Sequence, residues 1–207
     1  VDEAHHDATA SMTTVHGKIK PTIILGLTAT PFRTDRVGLA FEKVIKDADI
    51  RELMRDGYLS QFDHYTLGEY TPQSVVETYI KDPSKWGKSV VFFHKYEECV
   101  AALSLFRERG IAAEVVTGQS DRYKQIENFE RGETRVLINM MVLTEGFDSP
   151  SIQTVFVRPS SRGTTCQMES QQIGTRPRPL PVPVVLPHSV FSTGAVENAP
   201  DHELRSV

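Results

Sequence analysis

The stretch SVVFFHKYEECVAALSLFRERGIAAEVV, residues 89–116, decides the fold. SVVFFH (89–94) is a short apolar run of β-branched and aromatic residues, the pattern of a buried strand. Residues 96–109 place Val100, Leu103 and Phe106 at helical spacing, and Gly110 closes the helix. AAEVV (112–116) is short and apolar again. Strand, helix, strand at this spacing is a βαβ unit. It needs a parallel sheet with the helix laid on one face.

The same rhythm continues downstream. Ser120 is placed to cap a helix with Tyr123, Ile126 and Phe129 on one face, ended by Gly132. RVLINMMV (135–142) and QTVFV (153–157) read as two more strands. Upstream, residues 73–81 read as helix, and a further helix is expected around 40–56 with Gly57 as its stop. Residues 8–19 form a weaker helical candidate. TIILGL (22–27) has the look of a buried strand, halted by Pro31. Apolar strands alternating with amphipathic helices predict an α/β fold, a parallel sheet covered on both faces.

Residues 177–207 differ. They hold Pro177, Pro179, Pro181, Pro183, Pro187 and Pro200. The alternating prolines of 177–183 forbid helix and resist a central strand, so an extended, poorly ordered tail is expected.

Composition narrows the class. The 207 residues are 39% hydrophobic and 24% charged, in the range of a soluble globular protein of one large or two small domains. No apolar run approaches a membrane span, and no signal-peptide pattern is present. Cys99 and Cys166 alone cannot build a disulfide framework or a four-cysteine zinc site, so a cytoplasmic setting is expected. The net charge of −4 argues against coating nucleic acid by bulk charge, yet leaves room for a local basic track.

Parallel α/β sheets carry reactive residues at the carboxyl ends of their strands. Three segments end in such polar tips: VDEAH (1–5), LTATP (27–31) and VLTEGFD (142–148). A carboxylate at a strand tip can hold Mg²⁺, and a second beside it can orient and deprotonate an attacking water. A charged loop is the plain alternative for the first segment. A zinc site from His5, His6 and Asp7 is another, although adjacent histidines rarely converge on one metal. A threonine-rich turn satisfying its own backbone is the plain alternative for the second.

Taken in order, these segments resemble the superfamily 2 helicases and translocases, nucleic-acid-dependent ATPases of two RecA-like lobes. Asp2-Glu3-Ala4-His5 resembles the DEAH box. The resemblance implies that Asp2 holds Mg²⁺ through water, Glu3 acts as base, and His5 senses the nucleotide from the cleft. Thr28-Ala29-Thr30-Pro31 resembles the motif that couples hydrolysis to lobe movement. The form TATPFR, with Arg33, is closer to DNA-directed restriction and repair members than to RNA-directed ones. VVFFHKYEEC (90–99) resembles the opening of the second lobe. In VVTGQ (115–119), Thr117 and Gly118 are implied to approach a nucleic-acid backbone. LTEGFDSP (143–150) is the most specific match of the second half. It implies a phosphate contact for Thr144 and places Glu145, Gly146 and Asp148 near the nucleotide or the interlobe cleft.

Two features depart from the family. No G-x-x-x-x-G-K-[ST] phosphate loop occurs in these residues. The arginine-finger pattern Q-x-x-G-R-x-x-R is broken in both possible registers. Starting at Gln167, Ser170 and Gln171 stand where Gly and Arg belong; starting at Gln171, Gly174 and Arg178 fit but Thr175 replaces the first arginine. A finger is worth about 10³–10⁵ in rate.

The expected organisation is a remnant of the first RecA-like lobe at 1–34 and an interlobe connection at 35–68. The helicase C-terminal lobe follows at 69–170, and an out-of-family tail at 171–207. The implied activity is part of an ATP-dependent DNA helicase using ATP and Mg²⁺, inactive as an isolated chain without the rest of its first lobe. The alternative is a non-catalytic module that binds nucleic acid or a protein partner.

Overall fold

The computed structural model describes residues 1–4, 9–28, 41–45, 50–140, 143, 149–157, 182–187 and 204–206. The leading part holds helix α1 (Ala10–Ile19) and the short α2 (Ile50–Arg55). Then come β1 (Phe62–Leu67), α3 (Pro72–Lys81), α4 (Pro83–Trp86), β2 (Ser89–Phe92), α5 (Tyr96–Glu108) and β3 (Ala113–Val116). The chain continues with α6 (Arg122–Arg131), β4 (Val136–Asn139), β5 (Thr154–Phe156), β6 (Val182–Pro187) and β7 (Leu204–Ser206).

The strands form one sheet in the order β3-β4-β2-β5-β6-β1-β7. Six run parallel, and β7 alone is antiparallel, on the edge beside β1. This is the α/β architecture expected from residues 89–157. Strand side chains alternate between two cores. Val91, Phe93, Val136, Ile138 and Phe156 face α3, α4 and α5 together with Val75, Tyr79, Trp86 and Phe106. Val90, Phe92, Leu137, Val155 and Val157 face Phe129 and Ile126 of α6.

Trp86 anchors the first core. It is 1% exposed and makes edge-on contacts with Tyr65 and Phe156 at 5.3 and 5.7 Å between ring centres. Its indole N–H donates to the Thr78 carbonyl at 2.9 Å, so burial leaves no polar group wanting. Local signals set the helix ends. Thr71 and Ser74 form a reciprocal cap ahead of α3, with Pro72 in the first turn. Gly132 ends α6 at φ +80°, the left-handed conformation that glycine adopts without cost.

Several expectations need correction. The buried face of α5 is Cys99, Ala102 and Phe106, with Leu103 partly covered, while Val100 is 42% exposed. Residue 99 lies three before 102 and seven before 106, which turns the stripe one position from the expected one. In α6 the cap is Asp121, whose carboxylate accepts the Lys124 N–H at 3.2 Å, and Tyr123 is 88% exposed. Residues 41–45 are not helical, and helix begins only at Ile50 among the described residues.

Residues 62–67, read from sequence as a linking stretch, form β1. Leu67 and Tyr65 point to one face while Thr66 is buried on the other. That alternation was masked by Asp63 and His64. Residues 182–187, inside the proline-rich stretch, form β6 between β5 and β1. Only Val184 and Val185 pair with β5, and each is 0% exposed. Pro183 and Pro187 pair with β1 alone, so neither interrupts the doubly paired centre.

TIILGL is extended but not buried. Leu27 N–H donates to the Val1 carbonyl, and Ala4 N–H to the Leu27 carbonyl, each at 2.9 Å. Ile23, Leu25 and Leu27 are 84%, 71% and 62% exposed, while Gly26 lies against Ala4 and Phe41. The segment has strand-like alternation, and one side of it is covered by nothing among the described residues.

Candidate nucleic-acid interface

Because six strands are parallel, their carboxyl ends share one edge of the sheet. β3 ends there in Thr117 and Gly118, β4 in Asn139, and β2 in Phe93 and His94.

The Thr117–Ser120 turn is braced from within. The Thr117 N–H donates to Ser120 Oγ at 3.0 Å, and the Ser120 hydroxyl donates to Gln125 Oε1 at 2.7 Å. The Gln125 side-chain amide then donates to the Val115 carbonyl at 2.9 Å. Thr117 Oγ1 accepts the Gln119 N–H at 3.3 Å. A hydroxyl used as acceptor still has its proton to give to a phosphate oxygen. A Cβ at Gly118 would meet nothing within 4 Å, so the protein's own packing does not require glycine here. Open backbone at this point suits the approach of an outside chain. Tyr123 and Lys124 lie on the first turn of α6 beside it, and both are exposed.

The turn after β4 leads into LTEGFDSP. Asn139 is 0% exposed; its Nδ2 donates to the Val91 carbonyl and its Oδ1 accepts the Leu143 N–H, both at 3.3 Å. On the neighbouring β2, the Phe92 carbonyl accepts the hydroxyl of Tyr70, from the β1–α3 connection, at 3.3 Å, and the Tyr70 ring packs edge-on against Phe93. The buried Nε2 of His94 meets no hydrogen-bond partner among the described residues. Sequence reasoning passed over Asn139. Its signal was an amide closing an otherwise apolar strand, Val136 to Ile138.

The leading carboxylates belong to the 1–4 stretch, which pairs with the 22–28 segment. Asp2 is exposed and its Oδ1 accepts the Glu3 N–H at 2.9 Å. Glu3 is half-buried and has φ +47°, a strained backbone for a side-chain-bearing residue. Ala4 behind it is buried against the 22–28 segment. Among the described residues no group of three metal-ligating side chains forms. Asp2 fits Mg²⁺ only in the manner of an ion that takes one or two carboxylates and keeps waters and phosphates for the rest. His5, Ala29, Thr30, Thr144, Glu145, Gly146, Asp148 and Gln167 lie outside the described residues, as do His6, Asp7 and Arg33. Thr28 is described, at the end of the extended segment.

Cys99 lies in the core away from the edge, and burial, with Glu98 and Glu97 nearby, pushes its thiol up to about 11. It is a packing residue, not a nucleophile. No helix among the described residues is long and apolar enough to cross a membrane.

Comparison with known proteins agrees with this fold. Residues 72–174 match the helicase conserved C-terminal domain. A 51.5 kDa protein of a Lactococcus phage is 26% identical across 77% of this chain and 42% of its own length. A Saccharomyces cerevisiae protein named as an ATP-dependent helicase, IRC3, is 27% identical across 81% of this chain and 30% of its own. The chain thus spans less than half the length of these relatives. The solved structure of S. cerevisiae Dbp5 bound to RNA and ADP BeF3 shares the fold, with a TM-score of 0.56 at 16% identity. That match covers 90% of this chain and 51% of the other.

Proposed function

Given that the chain belongs to the superfamily 2 helicases through its C-terminal domain, we propose that it supplies the second lobe of an ATP-driven motor that moves along nucleic acid, DNA in preference to RNA. One observation carries this reading. The six parallel strands bring the Thr117–Gly118 turn and the start of LTEGFDSP to the same sheet edge. Thr117 and Thr144 would then grip successive backbone phosphates largely without regard to sequence. Glu145, Gly146, Asp148 and Gln167 would face the nucleotide or the cleft. Asp2 would hold Mg²⁺ and Glu3 would activate water, with His5 sensing the nucleotide and Thr28, Ala29 and Thr30 relaying the change. Mg²⁺ supplies charge neutralisation on the phosphates when bound. The preference for DNA rests on the TATPFR form of residues 28–33. A buried free Cys99 supports a reducing compartment such as the cytoplasm.

These 207 residues contain no G-x-x-x-x-G-K-[ST] loop, so the chain alone is expected to turn over no more ATP than its Glu3→Gln variant. The broken arginine-finger pattern after Gln167 favours a second reading, a module that binds nucleic acid without hydrolysis. The test is fluorescence anisotropy with matched single-stranded DNA and RNA across a salt series. The expected result is salt-sensitive binding, tighter for DNA, with a log–log slope near −0.7 per phosphate contact and weakened by Thr117→Ala and Thr144→Ala. Binding that ignores both substitutions would overturn the assignment of the edge. ATP turnover well above the Glu3→Gln control would overturn the inactive state of the chain.

A further inference from the structure

The turn that carries Thr117 leaves the outermost strand of the sheet. β3 has β4 as its one neighbour among the described residues, so no strand supports this turn from its outer side. A side chain does so instead. Gln125 Nε2 donates to the Val115 carbonyl of β3 at 2.9 Å, and Gln125 Oε1 accepts the Ser120 hydroxyl at 2.7 Å. Ser120 Oγ accepts the Thr117 N–H at 3.0 Å. Gln125 lies one turn into α6, which Asp121 caps, and a helical side chain there leans back toward the N-terminus and reaches the turn. Its task needs a donor and an acceptor on one group. A carboxylate lacks the donor and an aliphatic chain lacks both. Gln125 and Ser120 are half-buried, so breaking either bond strands a polar atom partly shielded from water. The relay holds the main chain of Thr117 and leaves its hydroxyl proton to give: Thr117 Oγ1 accepts the Gln119 N–H at 3.3 Å.

We propose that Gln125 is a positioning residue for nucleic-acid binding. It locks the Thr117–Ser120 turn onto β3, so that the Thr117 hydroxyl meets a backbone phosphate of single-stranded nucleic acid. The inference rests on the nucleic-acid reading above. Gln125 does not touch the ligand; it fixes the turn that does. A turn already held gives up less conformational freedom on binding, and that is the gain the relay supplies.

The test is a set of double-mutant cycles in the full 207-residue chain, with fluorescein-labelled oligothymidylate as the probe. In the otherwise unchanged chain, Thr117→Ala should weaken binding about 3- to 10-fold, the size of one hydrogen bond. Gln125→Met keeps the length of the side chain and loses both polar atoms. In that background Thr117→Ala should cost less than about 2-fold, the signature of coupled residues. Ser120→Ala should uncouple Thr117 in the same way, and Ser120→Thr, which keeps the hydroxyl, should restore the full factor. The two Ser120 variants decide the question should Gln125→Met fail to fold. Hydrogen exchange supplies a second readout. In Gln125→Met the Thr117 amide should exchange about 10-fold faster while Val91 and Ile138 keep their protection. A role in overall folding alone would speed all three amides and leave the Thr117→Ala factor unchanged, and that result would overturn the proposal. Additive cycles, a Ser120→Thr that behaves as Ser120→Ala, or a Thr117→Ala without effect would each overturn it while general binding stands. A chain with no affinity for oligothymidylate would overturn the proposal and the nucleic-acid reading together.

Discussion

SVVFFH and TIILGL are near twins as sequences, and the fold treats them in opposite ways. In β2, Val90, Val91 and Phe92 are 1%, 0% and 1% exposed. In the leading segment, Ile23, Leu25 and Leu27 are 84%, 71% and 62% exposed. β2 lies between β4 and β5, with helices on both faces. Among the described residues, the 22–28 segment is hydrogen-bonded to the 1–4 stretch and touched by Phe41 at Gly26. An apolar strand pattern is thus only an offer of burial; neighbours on both faces decide whether it is taken up. The same holds for chemistry. Thr117 and Asn139 become part of an edge because their strands are locked in register. Asp2 and Glu3 rest on a pair of extended segments.

The largest expected effect comes from attacking the packed side. Trp86→Ala should cost about 3–5 kcal/mol, read as a fall in the denaturant midpoint, because it removes the indole and its bond to Thr78. A loss under 1 kcal/mol would break the contrast. Next is Cys99. Its thiol is raised from the ordinary 9.0 to about 11, so at pH 8 its thiolate is about 100-fold scarcer than that of an exposed cysteine. Alkylation of native Cys99 should be slower by at least that factor and should speed up on unfolding. The sign for stability follows. The folded state holds this proton more tightly, so the contribution is full below pH 9.0 and is lost as pH rises toward about 11.

Removal of the α3 cap is smaller. Thr71→Ala should cost about 1 kcal/mol, since it frees the Ser74 N–H that Thr71 now accepts at 3.2 Å. The smallest effect is on the leading segment. Leu25→Ser should change the folding midpoint by no more than about 0.5 kcal/mol, because its side chain stays in water. It should also lower self-association at high concentration, measured by light scattering.

Much of the lobe was legible in the sequence, and the reasons are physical. Strands at 89–94, 113–116 and 136–139 are uninterrupted apolar runs, and glycines mark the helix ends at Gly110 and Gly132. β1 was not legible because Asp63 and His64 break its apolar run, and its alternation emerges only against α3 and β6. β6 was hidden by Pro183 and Pro187, whose missing N–H groups matter only where a second neighbour pairs. The stripe of α5 was read one position off at its start, Val100 for Cys99, and in α6 Tyr123 is exposed while Ile126 and Phe129 do face the core, since the first turn of a helix is the least constrained by neighbours. At the candidate site, Thr117 and Gly118 were legible from the strand-to-helix turn. Asn139 was not, because its role depends on contacts with residues 4 and 48 positions away.

The most direct test is native-state hydrogen exchange along the whole chain, resolved by residue. The account predicts strong protection of amides in β2, β4 and β5 and exchange near the unprotected rate for the 22–28 segment. Protection of that segment equal to β2 would contradict it, and would place the DEAH-like carboxylates on a packed sheet after all.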